Sequence, residues 1–199
     1  MPTKPAYQKD PSNGYEAIAT EFIAVRQRSG VGVATVRAWG RLLPQGATIL
    51  NLACGFGVPN SQALIEDGFV IYGVDASPSL ITEFRRRFPD VNVACEAVED
   101  SLFFDRTFDG VIAVGLLFLL SEDSQRDLIR RVGLALNSGG RFLFTSPAQS
   151  CTWTDILTGR ESLSLGADAY KAIIADARLN LVGEHSDEGD NHYYDTCRQ

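Results

Sequence analysis

Histidine is scarce in this 199-residue chain: only His185 and His192 are present, which leaves little room for a mechanism built on imidazole. The four cysteines, Cys54, Cys95, Cys151 and Cys197, stand far apart with no Cys-x-x-Cys pair. Neither a disulfide scaffold nor a zinc site is expected from that spacing, and the default compartment is the reducing cytoplasm. Long apolar runs are also missing. The longest, Val111 to Leu120, is ten residues interrupted by Gly115, whereas a membrane-spanning helix needs about 20. Met1 to Pro5 has no apolar stretch behind its charge and does not read as a signal peptide. Basic residues are outnumbered, with 18 Lys and Arg against 25 Asp and Glu and a formal charge of −7. Phosphate backbones and anionic membranes repel such a surface, so neither nucleic acid nor membrane is an expected partner.

What is present is an ordinary globular composition, 45% hydrophobic and 22% charged with 18 glycines. A chain of this length suits one domain and buries roughly 70% of its unfolded surface without staples. Residues 1–13, with three prolines, read as a loose lead-in. Apolar spacing predicts a helix from Gly14 to Arg28 and a second from Gly32 to Leu43, stopped by Pro44. Strands and helices then alternate. Strands are expected at 48–53, 69–74, 91–95, 108–114 and 141–145. Helices are expected near 60–67, at 78–87 behind the Ser77-Pro78 entry, from the Ser121 cap to about Leu136, and at 167–177. Two final strands, 179–184 and 192–196, flank the acidic turn Asp187 to Asn191. A short turn cannot join parallel strands, so this last pair must be an antiparallel hairpin. The expected fold class is α/β: a doubly wound, mostly parallel seven-stranded sheet with an antiparallel C-terminal edge. Such sheets bind ligands beyond the carboxyl ends of their strands.

The first strand runs into Ala53-Cys54-Gly55-Phe56-Gly57. Two glycines one residue apart allow a tight turn and close approach of a ligand to the backbone. The second strand ends at Asp75, 18 residues after Gly57, where a carboxylate is placed to accept both hydroxyls of a ribose. A Gly-x-Gly alone is an ordinary turn more often than a site; strand, glycine turn, second strand and terminal acid together point to a nucleoside ligand. A nicotinamide dinucleotide wants a third glycine for its pyrophosphate, and that position is Asn60. A ligand without phosphates fits better.

Ile49-Leu50-Asn51-Leu52-Ala53-Cys54-Gly55-Phe56-Gly57 resembles motif I of class I S-adenosylmethionine-dependent methyltransferases, and Val74-Asp75-Ala76-Ser77 resembles their motif II. Glu96-Ala97-Val98 stands where an acid-Ala pair meets the adenine, Phe108-Asp109-Gly110-Val111 is similar to the fourth-strand motif, and Leu136 to Phe142 resembles the turn before the fifth strand. The resemblance covers about residues 45 to 147. It implies S-adenosylmethionine as cofactor, with Gly55 and Gly57 under its methionine part and Asp75 on the ribose. Ala76, Glu96, Ala97 and Val98 would surround the adenine, Val114 would lie beside the sulfonium, and Tyr15 would close over the methionine end. Two positions depart from the family: Asn51 replaces an acid and Ala53 a glycine. Both are counted among the cofactor residues, and both are expected to weaken binding without abolishing it. The expected division is a lid over residues 1–44, a cofactor-binding core over 45–147, and a loop, helix and hairpin over 148–199.

The acceptor is expected to be a small molecule, because neither a basic surface nor an added domain provides for a macromolecule. Acceptor-side candidates are Phe118, Pro147, Gln149, Trp153, Tyr170, His192, Tyr193 and Tyr194. Phe118 is as well explained by the core and Trp153 by loop anchoring, and His192 as a hairpin residue. His192 is nonetheless the one candidate general base besides the carboxylates. No metal ligands are expected, and the oligomeric state is left open. Two rival readings stand: a non-catalytic adenosyl-ligand binder on the same fold, and a nicotinamide-dependent oxidoreductase.

Overall fold

The computed structural model describes residues 10–199. Its elements, in chain order, are α1 (Ala19–Arg26), α2 (Val33–Gly40), β1 (Thr48–Leu52), α3 (Asn60–Glu66), β2 (Val70–Asp75), α4 (Pro78–Arg87), β3 (Asn92–Cys95), β4 (Phe108–Ala113), α5 (Glu122–Ala135), β5 (Leu136–Thr145), β6 (Cys151–Thr154), β7 (Glu161–Ser164), α6 (Ala167–Asp176), β8 (Leu179–Ser186) and β9 (His192–Arg198). Seven strands form one sheet in the order β3-β2-β1-β4-β5-β9-β8. Strands β1 to β5 pair in parallel, and β9 runs antiparallel to both β5 and β8. The doubly wound sheet with an antiparallel edge is the architecture that strand and helix alternation implies.

Period-two alternation along the central strands sorts side chains onto two faces. Ile49, Ile112, Leu143 and Tyr193 pack with Val36 and Trp39 of α2 and Leu64 of α3 on one face. Leu50, Val111, Phe142, Phe144 and Tyr194 pack with Leu128 and Ile129 of α5 and Ile173 and Ile174 of α6 on the other. Strands covered on both faces read as continuous apolar runs, which is why they were visible in the sequence.

Several boundaries differ from the sequence expectation. Residues 1–9 of the expected lead-in lie outside the described residues. The expected helix from Gly14 begins only at Ala19; before it, the chain makes i→i+3 turns from Tyr15 to Ser12, Ala17 to Gly14 and Ile18 to Tyr15. Local side chains compete with a helix here: Asp10 accepts from the Ser12 and Gly14 amides, and Ser12 Oγ accepts from the Glu16 amide. β5 starts at Leu136, not Arg141, and crosses a register irregularity before Gly110 pairs with Arg141. The segment after β5, expected as a loop, contains the two-stranded β6–β7 hairpin. Thr152, Trp153 and Thr154 carry the β-branched and aromatic character of a strand, but a run of four residues is too short to stand out.

The strand order reverses between β1 and β4. The loops leaving these two strands diverge to opposite faces there and open a crevice at their carboxyl ends.

Candidate functional site

A cavity of about 800 Å³ fills that crevice, within the usual size of a small-molecule site. Its floor is the Ala53 and Gly55 turn after β1, Asp75 and Ala76 after β2, and Val114 and Gly115 after β4. Its roof is the segment from Asp10 through α1 and Val31, joined by Asp155 and Leu157 from the β6–β7 turn.

The floor depends on left-handed backbone. Gly55 has φ +55° and Ala53 φ +56°. Glycine adopts this region freely, whereas alanine is strained there. The turn is locked to the second strand: the Gly55 amide donates to Asp75 Oδ2 at 2.8 Å, and the Ser77 amide donates to Oδ1 at 2.9 Å. Asp75 is only 9% exposed. Burial pushes its carboxyl above the ordinary value, against the pull of the Ser77 and Gly55 amides. Each oxygen keeps acceptor capacity beyond its one backbone bond, at the cavity wall.

The roof is aromatic. Tyr15 meets Phe22 edge-on at 5.2 Å, and Phe22 meets Phe56 at 6.2 Å. The Phe22 ring lies 3.7 Å from the point where a Gly55 side chain would begin. Burial, then the charges of Asp155 and Asp75, push the Tyr15 phenol up to about 12. Glu16 fastens this roof to α4: its carboxylate accepts from Ser77 Oγ, from the Ser79 amide at 3.0 Å and from Ser79 Oγ at 2.7 Å. Asp10 fastens the other side through Arg160, 2.9 Å away.

Of the residues singled out in the sequence, Tyr15, Ala53, Gly55, Asp75, Ala76, Ala97, Val98 and Val114 line the cavity together. Asn51, Gly57, Glu96 and His192 do not. Asn51 is buried behind the turn, where its amide donates to Ser61 Oγ at 2.8 Å and ties β1 to α3. Gly57 serves packing instead: a side chain there would come within 2.7 Å of Phe88 and 2.9 Å of Phe84. Glu96 contributes its amide to the Asp75 carbonyl. His192 sits on the outer hairpin with Nε2 3.3 Å from Glu184 Oε1.

The acceptor-side candidates divide. Phe118 and Tyr193 line the cavity, and Trp153 packs on Phe118 at 5.3 Å. Tyr170 and Tyr194 are fully buried in the core, with Tyr170 Oη donating to Gln125. Pro147 and Gln149 are not in the wall. The sequence reading missed Phe22, Arg26 and Asp155. Phe22 and Arg26 are four apart on one helical face, a spacing that was available; Asp155 depended on the unseen hairpin. Among the described residues there is no cluster of His, Cys, Asp or Glu able to hold a metal, and no helix long and apolar enough to cross a membrane.

Residues 49–140 match a family model described as a methyltransferase domain. No curated protein matches the chain. Among solved structures, CcbJ methyltransferase from Streptomyces caelestis is similar with TM-score 0.73 at 15% identity, over 96% of this chain and 98% of that one. An S-adenosylmethionine-bound amino pentose methyltransferase from Micromonospora echinaspora gives TM-score 0.70 at 15% identity over 100% of both chains. Magnesium protoporphyrin IX methyltransferase from Synechocystis PCC 6803, also holding S-adenosylmethionine, gives 0.65 at 14% over 100% of this chain and 86% of that one. At these identities the likeness is one of fold.

Proposed function

We propose that the chain is a class I S-adenosylmethionine-dependent methyltransferase, a reading supported by the methyltransferase-domain match over residues 49–140 and by the shared fold, and that it transfers the sulfonium methyl to a small, partly apolar acceptor by in-line displacement. The observation that carries this reading is Asp75: a buried carboxylate at the tip of β2, fixed by two backbone amides and bordering a cavity beside a glycine turn. Its free acceptor capacity suits the two ribose hydroxyls. Ala76, Ala97 and Val98 offer an apolar slot to the adenine, and Gly55 and Val114 border the methionine half. When bound, the cofactor supplies a methyl group on a positively charged sulfur, open to a nucleophile.

The chain's own residues hold and enclose. Phe22 and Tyr15 cover the glycine turn and keep water from the reacting centre. Held at a raised pKa, Tyr15 stays neutral at working pH and acts as a hydrogen-bond donor. His192 does not line the cavity, which favours acceleration by positioning over acceleration by an imidazole base. The acceptor would enter between α1, Phe118 and the β6–β7 turn, and residues 10–44 would act as the lid. An amino pentose and a protoporphyrin, the acceptors named for two proteins of this fold, also support a small-molecule acceptor.

Calorimetric titration with S-adenosylmethionine, S-adenosylhomocysteine and NAD, followed by a methyl-transfer screen against small metabolites, tests this. Binding of the first two and a methylated product are expected. Binding of NAD alone would establish the oxidoreductase, and binding without any product the non-catalytic reading.

A further inference from the structure

Arg26 is the only basic side chain lining the cavity among the described residues. Its guanidinium reaches only neutral partners: Nη1 donates to Ser29 Oγ at 3.1 Å and Nη2 to the Val31 carbonyl at 3.3 Å. The acids around it are already engaged. Asp187 Oδ1 accepts from the Gly189 and Asn191 amides and Oδ2 from Tyr193 Oη. Asp10 takes Ser12, Gly14 and Arg160. Asp155 Oδ1 takes the Leu157 and Thr158 amides. Asp187 acts as a counter-charge and steadies the guanidinium through space, but among the described residues no carboxylate pairs with it directly, so its remaining N–H donors are open to an anionic ligand.

Its place in the cavity indicates which ligand. Phe22 stands over Gly55, and Arg26 lies one helical turn farther, about 5–6 Å along α1. Tyr193 lines the same cavity; burial and Asp187 push its phenol up, and the Arg26 guanidinium pulls it back down. Tyr193 is on β9, three strands from β1 in the sheet, so about 14 Å from the glycine turn at usual strand spacing. Arg26 therefore belongs to the end of the cavity away from Asp75, next to Val31, in a cavity that Phe118 also lines.

Building on the methyltransferase reading, we propose that Arg26 reads a carboxylate on the methyl acceptor, whose apolar body packs toward Val31 and Phe118. The acceptor class is then a small organic acid. Arg26 is a positioning and specificity residue in this account: it fixes one end of the acceptor while the other meets the methyl group.

The test uses the full chain saturated with S-adenosylhomocysteine. Benzoate, phenylacetate and indole-3-acetate are titrated beside their amides by calorimetry. At least one acid is expected to bind tenfold or more tightly than its amide; Arg26→Gln should erase that difference, and Arg26→Lys should keep part of it. Affinity for S-adenosylhomocysteine and for 5′-methylthioadenosine, which lacks the amino-acid tail, should stay within about twofold in both variants. A tenfold loss of S-adenosylhomocysteine with unchanged 5′-methylthioadenosine would assign the guanidinium to the cofactor's own carboxylate and overturn the proposal. Absence of acid-over-amide preference in the wild type would reduce Arg26 to a tie for the Ser29–Val31 turn. A wild type that does not bind S-adenosylhomocysteine would instead remove the methyltransferase reading, and this proposal with it.

Discussion

Asp75 is held in a position that disfavours its charge. Burial raises its carboxyl above the ordinary carboxylate value even though two amides donate to it. A group with a raised folded pKa contributes most below its unfolded value, and that contribution is lost as pH rises through the folded value. Ligand hydroxyls that bond the carboxylate would favour the charged form, so binding should release a proton. S-adenosylhomocysteine affinity is therefore expected to fall as pH drops through the raised Asp75 value, and a flat acid limb in calorimetry would contradict this. Asp75→Ala should weaken that ligand at least about tenfold, since bonds to a charged acceptor are worth roughly 1.5–3 kcal/mol each. The same change strips the Gly55 and Ser77 amides of their acceptor, so about 1–3 kcal/mol of stability should also go. Ala53 invites the opposite change. A left-handed alanine costs roughly 1–2 kcal/mol, while glycine adds back part of this through the unfolded chain. Ala53→Gly should therefore stabilise by about 1 kcal/mol in denaturant melts without weakening cofactor binding. Asn51→Asp is expected to add little for the cofactor, because Asn51 faces Ser61 and not the cavity.

The segment before α1 works as a strap. Glu16 takes the place of a ligand at the start of α4, where free amides and the helix dipole favour an anion. Hydrogen bonds from Ser77 and then Ser79 hold its carboxyl below the ordinary value. A depressed folded pKa stabilises above the unfolded value and is lost as pH falls through the folded one. The strap should therefore loosen in acid, as pH falls below the ordinary carboxylate range and through the depressed Glu16 value. Glu16→Gln removes the charge at any pH. An anion at a helix N-terminus is worth about 0.3–1 kcal/mol, so the open fraction should rise about two- to fivefold. Hydrogen exchange of the Tyr15 to Ala19 amides reads this directly; unchanged exchange would mean that Tyr15 and Phe22 alone hold the roof.

Across the whole molecule, floor and roof come from segments far apart in the chain, so a bound ligand ties together parts that otherwise open separately. A ligand at a hundred times its dissociation constant adds about 2.7 kcal/mol to stability. For a domain near 200 residues that is roughly 5–10 °C in melting temperature. S-adenosylhomocysteine should produce such a shift in calorimetric melts and NAD should not; equal shifts would show that the cavity does not discriminate a pyrophosphate.

The central sheet was legible because its strands are covered on both faces and so become unbroken apolar runs bounded by turn residues. The floor of the site was legible for a related reason: Gly55 and Asp75 are required by local backbone at two strand ends, and local requirements leave local marks. The roof was not. Glu16 clamps α4 through residues 61 and 63 positions away, and the β6–β7 turn that carries Asp155 is tied to Asp10 through Arg160, 150 positions away. The same holds for residues that dropped out. Asn51, Gly57 and His192 carry the right chemistry in sequence, but their surroundings set their roles: Asn51 turns to Ser61, His192 to Glu184, and Gly57 leaves room for Phe84 and Phe88. Sequence determined the fold and the floor of the cavity through short-range periodicity and turn chemistry; its roof was decided only when long-range packing brought α1, β9 and the β6–β7 turn over one crevice.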